Sequence, residues 1–146
     1  MITYSDIVTA INTKIELKFP NIEIQSTDVE EGFSRPSFFI PLNNIKTSDF
    51  MNFARDRTIT VRIYYFPTDR YSNQIEILEM QDSLEEAFID DNEIQVNEDF
   101  IIGIYESEIE IVDGVLQFEF EIFISEEYDS VDNEVETMED LQITNI

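Results

Sequence analysis

The chain has 146 residues, 42% of them hydrophobic and 12% aromatic, enough material for one packed domain. Its 33 acids against 8 bases give a net charge of −25, and it contains neither Cys nor His. Those absences exclude disulfides, thiol nucleophiles, His metal sites and His-based triads, and 3 Gly cannot supply a phosphate-cradling loop.

The charge is unevenly spread. Every base (Lys14, Lys18, Arg35, Lys46, Arg55, Arg57, Arg62, Arg70) falls within the first 70 positions, beside 9 acids, while the next 76 residues carry 24 acids and no base. Such asymmetry points to an acidic surface meeting a basic partner, or to a near-neutral face that docks while an acidic one stays wet. Direct binding to DNA phosphates is disfavoured by like charge. No run approaches the 18 apolar residues of a membrane span, and the N-terminus lacks the basic and apolar blocks of a signal peptide, so neither is expected. The lack of Cys suits folding in a reducing cytoplasm.

In chain order, a first helix is predicted over Ser5 to Phe19, capped by Ser5. Ile7, Val8, Ile11, Ile15 and Phe19 form its apolar stripe, and Pro20 ends it. A short strand follows at Ile22 to Gln25, then a polar turn through Asp28 to Gly32. Ser37 to Leu42 reads as a second strand, with Pro41 marking an edge or a strand end. From Arg57 to Phe66, strict alternation of Ile59, Val61, Ile63 and Tyr65 with polar neighbours predicts a half-buried strand. A second helix is expected over Ser72 to Ile89, and two short apolar runs follow at Glu93 to Val96 and Phe100 to Tyr105.

Asp113-Gly114 is the strongest local signal. It lies between two alternating runs, Tyr105 to Val112 and Val115 to Ile124, where a two-residue type I′ turn makes a hairpin. Counting outward pairs Val112 with Val115, and then the odd–even pairs Ile111 with Leu116, Ile109 with Phe118, Ser107 with Phe120 and Tyr105 with Ile122, which share one apolar face. The other face sets Glu110 against Gln117, Glu108 against Glu119 and Glu106 against Glu121. Like charges opposed across a ladder are destabilising, so that face needs water or a basic partner. Three readings are open for it: a plain solvent side, the wall of a pore through which DNA slides without sticking, or an imitation of DNA. The candidate acidic lumen or partner face is therefore Glu106, Glu108, Glu110, Glu119 and Glu121. Arg55, Arg57 and Arg62 are candidate basic residues at a contact between copies, one near-neutral face meeting the next copy's acidic one.

The expected organisation is a single α+β domain over residues 1–124, mainly antiparallel sheet with helices packed on one face. Residues 125–146 form an acidic extension ending in Leu141, Ile143 and Ile146, which reads as a docking arm. No catalytic, cofactor-binding or metal-binding residue is assigned, and no cofactor. With so many acids a glycosidase-like carboxylate pair arises by chance, and Asp90-Asp91-Asn92-Glu93 and Asp129 to Glu134 lack the spacing of a calcium loop.

Several stretches carry a family resemblance. They are Ile2-Thr3-Tyr4-Ser5-Asp6-Ile7 with Ala10-Ile11, Phe19-Pro20-Asn21-Ile22, and Glu31-Gly32-Phe33-Ser34-Arg35-Pro36-Ser37-Phe38-Phe39-Ile40. Tyr64-Tyr65-Phe66-Pro67, Ile111-Val112-Asp113-Gly114-Val115-Leu116-Gln117-Phe118 and Met138-Glu139-Asp140-Leu141 continue it. Together they resemble the phage tail terminator, or tail-completion, proteins of contractile-tailed phages and of defective prophages of Gram-positive bacteria. The resemblance implies a non-enzymatic structural protein of the virion tail, assembled in the host cytoplasm. It implies a hexameric ring of identical copies that caps the tail tube, ends its polymerisation and forms the joint with head-completion or connector proteins. The tube protein and the sheath are then partners, and DNA passes through without specific binding; no membrane is involved. The alternative is an acidic DNA mimic or inhibitor that binds a basic nucleic-acid-handling protein.

Overall fold

The computed structural model describes residues 1–25 and 34–127. Helix α1 spans Tyr4–Lys18. Its cap is Thr3 rather than Ser5. The Asp6 amide donates to Thr3 Oγ1 at 3.0 Å and the Thr3 amide to Asp6 Oδ2 at 3.0 Å, a reciprocal box that satisfies two donors at once. Ile7, Ile11 and Ile15 are fully buried, whereas Val8 and Phe19 are half-buried. The helix stops at Phe19, before Pro20, as the sequence dictates.

Strand β1 (Glu23–Gln25) pairs in parallel with β2 (Ser37–Phe39). The expected turn from Asp28 to Gly32 lies outside the described residues. Strand β2 stops short of Pro41, which has no amide for the ladder. A strand absent from the sequence reading follows, β3 over Leu42–Phe50, and returns as β4 over Ala54–Phe66, three residues earlier than expected. Strands β2 and β3 share one edge of β4, β2 against Tyr64–Phe66 and β3 against Ala54–Val61. The Arg62 amide donates to the Pro41 carbonyl across the break.

Helix α2 covers Gln74–Glu85 and closes in a π-helical turn, Glu86–Asp90, that buries Ala87 and Phe88. Ser72 is not its cap. Asn73 holds the cap position, and its side-chain amide donates instead to the Asp69 and Arg70 carbonyls. Glu76 anchors the helix to the end of β4 by accepting from the Tyr65 hydroxyl, from the Thr68 amide at 2.8 Å and from Thr68 Oγ1 at 3.2 Å. The two apolar runs form a separate ribbon, β5 (Glu93–Asn97) with β6 (Phe100–Gly103). Lys14 ties α1 to its start, donating to the Asp91 and Glu93 carbonyls at 2.6 and 2.7 Å.

Strands β7 (Ser107–Val112) and β8 (Val115–Glu127) complete a six-stranded sheet of order β1-β2-β4-β8-β7, with β3 beside β4. Strand β8 pairs with β4 as far as Glu127, so Ser125–Glu127 belong to the sheet; residues 128–146 lie outside the described part. Both helices cover the same side of the sheet. Phe88 packs on Phe118 and Phe120, with ring centres 5.9 and 5.2 Å apart, and Phe19 packs on Phe38 at 5.3 Å. The fold is α+β, mainly antiparallel, with helices on one face.

Candidate functional site: the open face of the sheet

The hairpin turn takes the conformation its two residues favour. Asp113 has φ 54° and Gly114 φ 76°, both left-handed, as a type I′ turn requires. The register runs outward from it: Val112 opposite Val115, Ile111 opposite Leu116, Glu110 opposite Gln117, Ile109 opposite Phe118, Glu108 opposite Glu119 and Ser107 opposite Phe120. Two expected pairs do not form. Strand β7 begins at Ser107, so Tyr105 does not meet Ile122 and Glu106 does not meet Glu121. The chain is diverted before that point: the Ile104 amide donates to the Asn92 carbonyl at 2.8 Å and Ile104 is fully buried in the core, which leaves Tyr105 86% exposed.

Because side chains alternate, Leu116, Phe118, Phe120, Ile122 and Ile124 enter the core and the residues between them point away from the helices. Glu106, Glu108, Glu119 and Glu121 line an open hollow of about 400 Å³, and Glu108, Glu110 and Glu119 a second of about 300 Å³. Glu106 joins this cluster through space even though it lies outside the ladder. All five expected acidic residues are thus neighbours on one bare surface.

The three arginines separate. Arg62 lies on the acidic face itself, opposite Glu119, and donates to Glu119 Oε1 from Nε at 3.1 Å and from Nη2 at 2.7 Å. Bonds to the Tyr64 hydroxyl and to Glu119 push its pKa further up. Arg57 faces the other side, 3% exposed. It contacts Glu126 at 2.6 Å, donates to the Ile2 carbonyl at 2.8 Å, and its guanidinium lies 5.2 Å from the Tyr4 ring centre. Arg55 shares that side, half-buried between Asp49 and Glu126 in the register. The expected basic patch is therefore divided between two faces, with Arg57 and Arg62 committed to partners in their own chain.

An aromatic end of the open face was not foreseen. Phe39, Tyr64 and Phe66 form a ladder with ring centres 5.9 and 6.5 Å apart, and with Pro41, Val112 and Val115 they wall a hollow of about 450 Å³. The signal was present in parity, since Tyr64 and Phe66 alternate with the core residues Ile63 and Tyr65.

Among the described residues no three acidic side chains converge as a metal-holding group, and no helix is long and apolar enough to cross a membrane. Five carboxylates around one guanidinium make instead a negative wall, whose field extends roughly 8 Å at physiological salt.

Residues 6–134 match a protein-family model described as phage tail terminator protein. The chain belongs to the phage tail terminator family. No curated protein matches it in sequence. A tail terminator is a structural component of the virion tail and works in contact with other tail proteins.

Proposed function

We propose that this terminator assembles as a ring, a hexamer by family resemblance, which caps the tail tube and ends its polymerisation, and that the open acidic sheet face is turned to the channel. The observation that carries the channel assignment is the bare cluster of Glu106, Glu108, Glu110, Glu119 and Glu121 around the single Arg62. A wall of that sign repels phosphates, so DNA slides past without adhering. The opposite ring surfaces then contact the tube protein on one side and head-completion or connector proteins on the other, with the sheath of a contractile tail around the joint. Assembly takes place in the host cytoplasm. The arginines contribute less to the contact between copies than their charge suggests, since Arg57 and Arg62 are each paired with a glutamate of their own chain.

Addition of the purified chain to growing tail tubes, followed by negative-stain imaging, tests the cap. The expected result is a ring at one end of each tube and arrested elongation. Tubes that continue to lengthen with undecorated ends would refute it.

A further inference from the structure

We infer that the tip of the β3–β4 hairpin in one copy seats in the aromatic hollow on the open sheet face of the next copy. This deepens the ring reading and rests on it.

The tip is apolar and bare. Phe50, Met51 and Phe53 are 47%, 73% and 49% exposed, and the Phe50 and Phe53 rings meet edge to face at 5.5 Å. It is also held in shape. Asp49 Oδ2 accepts from the Asn52 amide at 2.9 Å, and Met51 and Asn52 sit at φ 55° and 67°, a conformation uncommon for residues other than glycine. A fixed loop that displays a methionine and two phenylalanines buries none of them in its own chain. The binding shape is present before any partner arrives, which lowers the ordering cost of docking.

The hollow has matching chemistry, walled by Phe39, Pro41, Tyr64, Phe66, Val112 and Val115. Phe50 stands opposite Ala54, whose side of β4 is also that of Tyr64. Tip and hollow therefore lie on one face at opposite ends of one strand, about 33 Å apart from Ala54 to Tyr64. A chain cannot fill its own hollow, but a second copy can. Charge agrees with that occupant. With Arg57 buried against Glu126, the hairpin offers Lys46 and Arg55 against Asp49 and Asp56, a balanced stretch in a chain of net −25 that the acids of the next copy do not repel. The hollow is bordered by Asp113, and Glu110 stands opposite Gln117, one of its lining residues. Arg35 also reaches this end, over the Phe66 ring, where it donates to the Pro67 carbonyl.

The acids between the two sites decide the geometry. A two-fold pair that exchanged both tips would press the glutamate clusters of two copies together, at the cost of like-charge repulsion. One tip per neighbour, end to end, avoids that contact. The result is a heterologous chain of contacts of the kind that closes into rings.

The chain has no native Cys, so Met51→Cys and Val112→Cys each place one thiol at a chosen site. The two variants are mixed under assembling conditions, alone and with tail tubes, and treated with a short bis-maleimide. Expected are a strong heterodimer band in the mixture, at least tenfold above either variant alone, and a ladder from the doubly substituted chain. In parallel, the Phe50→Ser/Phe53→Ser variant, altered only at exposed positions, keeps its circular dichroism spectrum and loses assembly. Rings that form without the heterodimer band, or that survive the double serine change, overturn the tip-in-hollow contact and leave the ring standing. A chain that stays monomeric at all concentrations and on tube ends overturns both.

Discussion

Glu126 and Arg57 lie 2.6 Å apart across the β4–β8 pair, and both hold Ile2: Glu126 Oε2 accepts from the Ile2 amide at 3.0 Å, and Arg57 donates to the Ile2 carbonyl at 2.8 Å. The pair clamps the segment that leads into α1. With Arg57 only 3% exposed, removal of its carboxylate strands a buried charge. Glu126→Ala is expected to cost about 3 kcal/mol in urea denaturation, whereas Arg57→Met with Glu126→Leu costs clearly less, because no unpaired charge is left. Equal losses in the two variants would contradict this account.

On the open face, Glu119 stands between Glu108 and Arg62, so the glutamates are not equivalent. Glu108→Gln removes repulsion and is expected to leave stability unchanged or to raise it, by up to about 1 kcal/mol. Glu119→Gln also removes the Arg62 partner and lowers stability by a few tenths to about 1 kcal/mol. Added salt narrows the difference, since both effects are screened near the surface. Denaturation midpoints at two salt concentrations give the comparison.

Gly114 has φ 76°, and a Cβ built there would meet the Arg70 carbonyl oxygen and the Asn73 side-chain nitrogen, both at 3.3 Å. Gly114→Ala therefore combines left-handed strain with a tight contact, and is expected to lose about 1–2 kcal/mol. Asp113→Asn keeps the turn chemistry and is expected to be near neutral. A thermal melt of each variant decides between them.

Burial, reinforced by the hydrogen bond to Glu76, pushes the Tyr65 hydroxyl well above the usual tyrosine range. The native state thus keeps a proton that the unfolded chain releases above about pH 10, so stability is full below that point and falls as pH rises. Tyr65→Phe lacks this proton. Its stability declines less between about pH 9 and 11 than that of the parent chain, as read by denaturation at each pH. Parallel alkaline limbs in the two proteins would show that Tyr65 is not responsible.

Where local rules agreed with tertiary context, the fold was legible. The Asp113-Gly114 corner fixed the register of β7 and β8 because only left-handed residues fit there, and the Ile7, Ile11 and Ile15 stripe fixed the buried side of α1. Strand β3 was not legible, because the stretch from Asn44 to Phe50 is wholly exposed and carries no alternation; its pairing is imposed by the β4 edge. The sequence offers Arg57 as a basic residue at a contact between copies, although it shares parity with Ile59, Val61, Ile63 and Tyr65, the one sign that it points inward. The grouping of Glu108, Glu110, Glu119 and Glu121 was legible because it depends on alternation alone; Glu106 joins it through space, outside the ladder. The aromatic hollow was not, because it needs β2, β4 and the hairpin turn brought together in space.

If the open face borders the channel, its charge acts on DNA and not on assembly. Replacing Glu108, Glu110 and Glu121 by Lys spares Glu119 and its pair with Arg62, and the altered side chains project from exposed positions, so the fold and tail closure are expected to persist. The reversed wall now attracts phosphates. Particles assembled with this variant should show tails of normal length in electron micrographs but slowed or incomplete DNA release, and the isolated chain should bind a short duplex in fluorescence anisotropy with an affinity that falls steeply with salt. Normal release from particles shown to contain the variant would place these glutamates away from the DNA path. Tails that fail to close would place them at a protein contact instead.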